Sequence, residues 1–211
     1  MNKKISDEIL DNLKKIIINP KCELDYNNGY ELLVAVILSA QTKDKKVNEI
    51  TKILFSKYKD PKSLKEAPIN DVISIIKPLG LAKNKAFNII NMAKDLNEKY
   101  NDVVPNNYDD LVKLSGVGRK TANVILIELF NIPAFPVDTH LIRMSHIFGY
   151  SKSLNPLIVE NDYKKYIKEE DYKLAHHLFL LFGRYHCNTL LIKKGNCQNC
   201  KMKDYCKKTA R

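Results

Sequence analysis

The sequence lacks an apolar run long enough to cross a membrane. Its longest run, Leu32 to Leu38, is far shorter than the roughly 18 residues that a membrane-spanning helix needs. The N-terminal segment MNKKISDEIL mixes acidic and basic residues and has no apolar secretory region, so no signal peptide is expected. Solenoid-type repeats and low-complexity segments are also missing. These absences indicate a soluble, intracellular chain of one domain or two small ones.

Arginine is scarce, whereas lysine is abundant. Only four of the 35 basic residues are arginine, and the formal net charge is +11. A strongly basic chain favours a polyanionic partner such as nucleic acid, because neutralised phosphates supply most non-specific affinity. A lysine-rich proteome would give the same composition, so charge alone does not decide the function.

Regular alternation of strand and helix is absent, and the apolar spacing is helical almost throughout. Ala86, Ile89, Ala93 and Leu96 are typical of the pattern. The run Leu32 to Leu38 fits a buried strand or a buried helix, and its helical neighbours favour a core helix. We therefore predict an all-α protein of about ten short helices.

The segment LSGVGRKTANVIL places a glycine turn directly before a helix. Gly116-Val117-Gly118 has no third glycine at the position of Thr121, and Arg119 stands where a P-loop needs a glycine, so neither nucleotide-binding motif fits. The remaining interpretation is a helix over 109–114, a hairpin over 115–119 and a second helix over 120–130. Glycine amides and a helix N-terminus together attract a phosphate, with Lys120 in reach of the molecule that carries it.

Four of the five cysteines crowd near the C-terminus with the spacing C-x9-C-x2-C-x5-C. They are Cys187, Cys197, Cys200 and Cys206. In a reducing compartment such crowding favours a metal site over disulfides. Zinc and an iron–sulfur cluster are both compatible with four thiolates.

Asp138 stands where a helix over 139–148 is expected to begin. Aspartate commonly caps helix N-termini, so a structural role is expected. A carboxylate held rigidly in that place is also a preorganised anion that can stabilise developing positive charge.

Taken together, the motifs resemble the endonuclease III family of helix-hairpin-helix DNA glycosylases. The resemblance spans nearly the whole chain and rests on four motifs in the family's order: VILSAQTKD (36–44), LSGVGRKTANVIL (114–126), FPVDTHLIRM (135–144) and the cysteine cluster. It implies two all-α domains with a DNA-binding cleft between them. Residues 20–132 would form the helix-hairpin-helix six-helix barrel domain, and residues 1–19 with 133–211 the iron–sulfur cluster domain.

The resemblance also implies roles for individual residues. Lys120 would be the amine nucleophile that attacks the sugar, and Asp138 would stabilise the charge that develops there. Gln41 and Leu81 would fill the gap left by an extruded base and wedge the opposite strand. Further DNA contacts would come from Gly116, Gly118, Arg119 and His140. The four cysteines would hold a [4Fe–4S] cluster, although the family usually has six residues where this chain has nine between the first two.

The implied activity is that of a bifunctional DNA glycosylase and AP lyase of base excision repair. It would remove oxidised pyrimidines from damaged double-stranded DNA and cleave 3′ to the abasic site. The enzyme would be a cytoplasmic, nucleoid-associated monomer with no membrane partner. Specificity for pyrimidine dimers or thymine mismatches stays open, as does a catalytically silent DNA-binding protein with the same hairpin. An adenine-mismatch glycosylase is disfavoured, because that branch uses a carboxylate near Ile37 and lacks the lysine.

Overall fold

The computed structural model describes residues 1–193 and 196–207, and every regular element within those ranges is helical. The all-α prediction is confirmed. Twelve α-helices occur there: α1 Lys3–Ile16, α2 Gly29–Leu38, α3 Asp44–Lys57, α4 Pro61–Lys65, α5 Ile69–Ile76, α6 Ala82–Lys99, α7 Tyr108–Leu111, α8 Arg119–Leu129, α9 Thr139–Phe148, α10 Pro156–Lys164, α11 Tyr172–Leu181 and α12 Thr189–Lys193.

Shorter helical segments connect or extend these helices. Single 3-10 turns cover Lys77–Leu79, Glu169–Asp171, Asn196–Asn199 and Lys203–Tyr205, and a π-helical segment, Phe182–His186, continues α11. Among the helices of the described ranges, none combines the length and apolarity needed to cross a membrane.

The chain divides into two compact units. One is the continuous segment Glu23–Phe130, and the other joins Met1–Cys22 to Asn131–Arg211. The boundaries expected from the sequence were 19/20 and 132/133, three and two residues away from these. We call Glu23–Phe130 the central unit, and Met1–Cys22 with Asn131–Arg211 the terminal unit.

Helix α2 lies at the core of the central unit. Asn28 caps it by accepting a hydrogen bond from the Glu31 backbone N–H, and every residue from Tyr30 to Leu38 is buried. The helix packs against α3, α6 and α8. An apolar surface on all sides requires such enclosure, so the apolar run 32–38 is a core helix, as predicted.

Aromatic side chains dominate the core of the terminal unit. Tyr163, fully buried on α10, packs against Phe135 and Phe179 with ring centroids 4.9 and 5.1 Å away. The Tyr150 ring packs against Tyr163 in a tilted arrangement with centroids 4.6 Å apart, and its hydroxyl hydrogen-bonds the buried Ser6 of α1 at 2.8 Å. The N-terminal helix is thereby fixed to residues that follow it by more than a hundred positions.

Candidate active site

The hairpin between α7 and α8 is a succession of tight turns. Helix α7 ends at Leu111, so the predicted first helix, 109–114, is three residues too long. The backbone N–H groups of Lys113, Leu114 and Val117 instead donate to carbonyls three residues earlier. Helix α8 begins at Arg119, one residue before the predicted start.

The two hairpin glycines serve different purposes. Gly116 has a φ of +78°, and a Cβ added there would lie 2.9 Å from the Cβ of Asn88 on α6. Only glycine permits both the backbone conformation and the close approach to α6. Gly118 has ordinary extended dihedrals and no atom within 4 Å of an added Cβ.

Gly118 also occupies the N-cap of α8, where it has no side chain to accept a hydrogen bond. The first N–H groups of a helix lack partners within the helix, and a cap with a hydroxyl or carboxylate would normally occupy one of them. Here no cap side chain bonds to the first amides, and the capping glycine is exposed. This arrangement suits an anionic oxygen from a phosphate.

The first two residues of α8 are the basic pair. Arg119 is exposed, with its guanidinium 5.5 Å from the centre of the Tyr108 ring and one nitrogen 3.3 Å from the Tyr108 hydroxyl. Lys120 follows it in the first turn and is half-buried. The site therefore presents one exposed cation and one partly enclosed amine beside the uncapped amides.

Asp138, in the terminal unit, is the N-cap of α9. One carboxylate oxygen, Oδ1, accepts hydrogen bonds from the backbone N–H groups of His140 at 2.8 Å and Leu141 at 3.0 Å. The predicted capping role and the predicted helix, 139–148, are both confirmed. Two amides fix the orientation of a half-buried carboxylate, as a preorganised anion requires.

His140 lies in the first turn of α9 beside a guanidinium. Arg143 Nη2 is 3.3 Å from His140 Nδ1, and the same nitrogen donates to the Gly183 carbonyl at 2.6 Å. Burial lowers the pKa of His140, and the positive charge of Arg143 lowers it further against the opposing effect of Asp138. We therefore expect a neutral imidazole at physiological pH.

Gln41 and Leu81 lie on two turns of the central unit, and both have left-handed backbone conformations. Their φ values are 56° and 53°. For a residue with a side chain this conformation costs about 1 kcal/mol or more, so surrounding contacts must hold it in place. Leu81 is 55% exposed, which excludes an ordinary core position, and Gln41 is exposed as well.

The four clustered cysteines differ in exposure. Cys187 is buried at the end of the π-helical segment, Cys200 is half-buried, and Cys197 and Cys206 are exposed. Burial raises the pKa of Cys187 to about 12, and the nearby thiols of Cys206, Cys200 and Cys197 contribute in the same direction, whereas Arg143 opposes them. The thiols thus lie in one neighbourhood. Over 1–193 and 196–207, no three His, Cys, Asp or Glu side chains are arranged to hold a metal ion.

The segment that carries the last cysteines is anchored to the core of the terminal unit. Met202 is buried in that core, and its backbone N–H lies 3.4 Å from the Cys200 sulfur. The Lys207 N–H donates to the Ile147 carbonyl of α9 at 2.7 Å. An amide directed at a cysteine sulfur suits a thiolate ligand, since it stabilises negative charge on the sulfur.

Lys85 was not identified from the sequence. This lysine on α6 is only 4% exposed, and its ammonium contacts Thr42 and the Leu79 carbonyl. A signal was present, because Lys85 shares the helical spacing of the buried residues Ile89, Met92 and Leu96. A lysine in the core position of an amphipathic helix indicates a specific polar partner.

A short helix, a tight glycine hairpin and a second helix with a lysine in its first turn make this a helix-hairpin-helix protein, and the comparisons give its class. The profile of the HhH-GPD superfamily base excision DNA repair proteins matches residues 34–169. Endonuclease III of Bacillus subtilis is 39% identical over 98% of this chain and 94% of its own length. That of Rickettsia conorii is 43% identical, over 98% and 97%.

Comparison with solved structures also leads to endonuclease III. The chain aligns with a non-covalent endonuclease III–DNA complex and with a trapped endonuclease III–DNA covalent intermediate. For each the TM-score is 0.92 and the identity 39%, over 98% of this chain and 96% of the other. A thermostable thymine-DNA glycosylase shares the fold at 20% identity with a TM-score of 0.84.

The chain therefore belongs to the endonuclease III family. It is a DNA glycosylase and AP lyase of base excision repair.

Proposed function

We propose that this chain removes oxidised pyrimidines from duplex DNA and then cleaves the strand 3′ to the abasic site, with Lys120 as the nucleophile. The observation that carries the assignment is the position of Lys120. It is the second residue of α8, a helix whose glycine N-cap has no side chain to occupy the first amides. A phosphate bound there would place the adjoining deoxyribose within reach of an amine in the first helical turn.

The reaction needs an unprotonated Lys120 Nζ. Its lone pair attacks C1′ of the damaged nucleotide, the bond from C1′ to the base breaks, and the base leaves with that electron pair and takes up a proton. The attacking nitrogen loses a proton, and its lone pair then expels O4′, which takes up a proton as the sugar ring opens and leaves a protonated Schiff base. Removal of a proton from C2′ then expels the 3′ phosphate by β-elimination, and water releases the lysine.

Asp138 supplies the fixed negative charge in this scheme. The sugar becomes positively charged as the base departs, and a carboxylate oriented by two amides stabilises that charge without reorganising. The cap and the catalytic role are compatible, because both amides bond to the same carboxylate oxygen, Oδ1. The other oxygen has the same negative charge to offer a substrate.

The remaining predicted residues are proposed as DNA contacts. The amides near Gly116 and Gly118 would bind backbone phosphate, Arg119 would add a charge-assisted contact, and His140 would contribute from α9. Gln41 and Leu81, exposed on turns with left-handed backbone, would fill the place of the extruded base and separate the opposite strand. We propose that the protein acts on damaged duplex as a monomer associated with the nucleoid.

We propose in addition that Cys187, Cys197, Cys200 and Cys206 hold a [4Fe–4S] cluster. The donor set supports it, because four thiolates in one neighbourhood are the ligands that such clusters take, and an amide already faces one sulfur. When bound, the cluster would supply four covalent links that organise this segment. Residues 194 and 195 of the longer first interval lie outside the described residues.

Borohydride trapping tests the nucleophile. Reduction of the Schiff base should join wild-type protein covalently to a duplex with an oxidised pyrimidine, and Lys120→Gln should abolish the adduct while retaining DNA binding. Lys94→Gln, an exposed lysine on α6, is the matched control and should trap normally. An adduct that persists in Lys120→Gln would contradict the assignment. Duplexes with thymine mismatches or pyrimidine dimers, tested in parallel, measure the lesion preference.

Metal analysis tests the cluster. Protein purified without oxygen should be coloured and contain about four iron and four sulfide per chain. Cys200→Ser should reduce both contents. Colourless protein that contains zinc and no iron would overturn the assignment and favour the tetrahedral zinc alternative.

A further inference from the structure

Lys85 is a buried cation on the first turn of α6. Its backbone N–H donates to the carbonyl of Leu81, the N-cap of α6, at 3.0 Å, and so closes the first turn of the helix that follows the exposed loop. Its side chain is directed into the central unit, and only 4% of the residue is exposed to solvent. Burial lowers the pKa of Lys85. A lysine tolerates such a site only when its donors are satisfied by nearby acceptors.

The acceptors form a closed triangle with the ammonium. Lys85 Nζ donates to Thr42 Oγ1 at 2.8 Å and to the Leu79 carbonyl at 3.1 Å. Thr42 Oγ1 lies 2.8 Å from the same carbonyl and donates to it. Each of the three groups therefore contacts the other two, and removal of any one takes a hydrogen-bond partner from both of the others.

This triangle joins the two turns that carry the exposed candidates. Thr42 follows Gln41 directly, and Leu79 precedes Leu81 by two residues. Both Gln41 and Leu81 adopt a left-handed conformation that they would not favour in isolation. Strained turns of this kind persist where neighbouring contacts hold the backbone on either side.

We propose that Lys85 is a positioning residue that fixes the turns of Gln41 and Leu81 relative to each other, so that both side chains enter the DNA together. The inference rests on the proposed gap-filling roles of those two residues. Two groups that insert into one damaged step must be held at a set separation, and misplacement by about 1 Å is enough to slow a reaction about a hundredfold. Lys85 touches neither the sugar nor the base in this account.

Two substitutions break the triangle. Lys85→Met removes the ammonium and keeps the length of the side chain, whereas Thr42→Val removes the hydroxyl and keeps the shape. Thr42→Ser retains the hydroxyl and should restore most of the function. Thr42 is half-buried, so Thr42→Val is expected to fold and decides the question alone if Lys85→Met does not. Lys94→Met removes an equivalent charge from the exposed face of α6.

Two readouts separate positioning from general damage. The first is the fluorescence of 2-aminopurine placed opposite a tetrahydrofuran abasic analogue, at saturating protein, because a correctly placed wedge unstacks that base. The second is the single-turnover rate of base release from an oxidised-pyrimidine duplex. Lys85→Met and Thr42→Val should reduce both, the rate by about tenfold or more, while duplex affinity changes by less than about threefold. Lys94→Met should reduce neither.

A double-mutant cycle tests whether Lys85 acts through the two turns. In a Gln41→Ala/Leu81→Ala background, the further loss caused by Lys85→Met should fall to less than about twofold. If the background is slow but Lys85→Met and Thr42→Val match wild type, the positioning role is overturned and the gap-filling roles survive. If the background itself matches wild type, both are overturned. Both roles are likewise overturned if every variant of Lys85, Thr42, Gln41 and Leu81 is fully active while Lys120→Gln is inactive.

Discussion

Substitution of the two hairpin glycines by alanine should destabilise the protein at Gly116 and leave its stability nearly unchanged at Gly118. At Gly116, a φ of +78° is unfavourable for any L-residue, and the new methyl group would lie 2.9 Å from the Cβ of Asn88. That atom is attached directly to the backbone of α6, so it cannot rotate away, and the hairpin and the helix must separate instead. At Gly118 the backbone is extended and no atom lies within 4 Å.

The magnitudes follow from these two contributions. The left-handed backbone costs alanine about 1–2 kcal/mol, and the forced displacement of the hairpin from α6 costs about 1–3 kcal/mol, so Gly116→Ala should destabilise the protein by about 2–5 kcal/mol. In a chain of this length, a loss of that size lowers the melting temperature by about 4–20 °C. Gly118→Ala weakens the helix cap by about a few tenths of a kcal/mol, but alanine also lowers the conformational entropy of the unfolded chain, which favours folding. The net effect on stability should therefore stay within about 0.5 kcal/mol.

Thermal unfolding of both variants, followed by circular dichroism, provides the measurement, and fluorescence anisotropy with a labelled duplex provides the contrast. Gly118→Ala should bind DNA more weakly although it is fully folded, because its methyl group would cover the amides proposed for phosphate. Gly116→Ala should lose stability even without DNA. Melting of Gly116→Ala within about 1 °C of wild type would refute the steric argument.

Two other substitutions distinguish charge from structure. Asp138→Asn should keep the α9 cap and melt like wild type but release base slowly, whereas Asp138→Ala should also lose about 1 kcal/mol of stability; normal single-turnover rates in Asp138→Asn would remove the carboxylate from the mechanism. Burial, followed by the hydrogen bond to Asp71, raises the pKa of Tyr58 to about 12. The unfolded chain releases this proton near pH 10, so the stability that the raised pKa contributes is lost as pH rises from about 10 to 12. Urea denaturation of wild type and Tyr58→Phe at pH 9 and 11 should show a smaller decline in the variant, and equal declines would contradict the shifted pKa.

Local signals predicted the parts of the fold that depend on neighbours in sequence. Helix α9 has its predicted bounds because Asp138 caps one end and Gly149, with a φ of +81°, stops the other. The helix before the hairpin was predicted too long, since apolar spacing at Leu111 and Leu114 is the same in an α-helix and in consecutive turns. Hydrogen bonds to the third preceding residue, which spacing does not reveal, separate the two cases.

Contacts between residues far apart in the sequence could not be predicted from these local signals. Lys85 and Thr42 are 43 positions apart, and their contact depends on how α6 packs beside the turn after α2. The basic composition gave no reason to single out one lysine from the rest. Its place among the buried positions of α6 was the one available indication, and it does not name the acceptor.

The division of the chain into a central unit and a terminal unit has a consequence for synthesis on the ribosome. Helix α1 packs against α11, whose last residue is made about 165 positions later, whereas the central unit is one continuous segment that can fold as soon as it emerges. At about 5–20 residues per second, α1 waits roughly ten to thirty seconds for its partner. During that interval Ile9, Leu10 and Leu13 have no native core to cover them. The enzyme should therefore depend more on chaperones while it is being made than when it refolds as a complete chain.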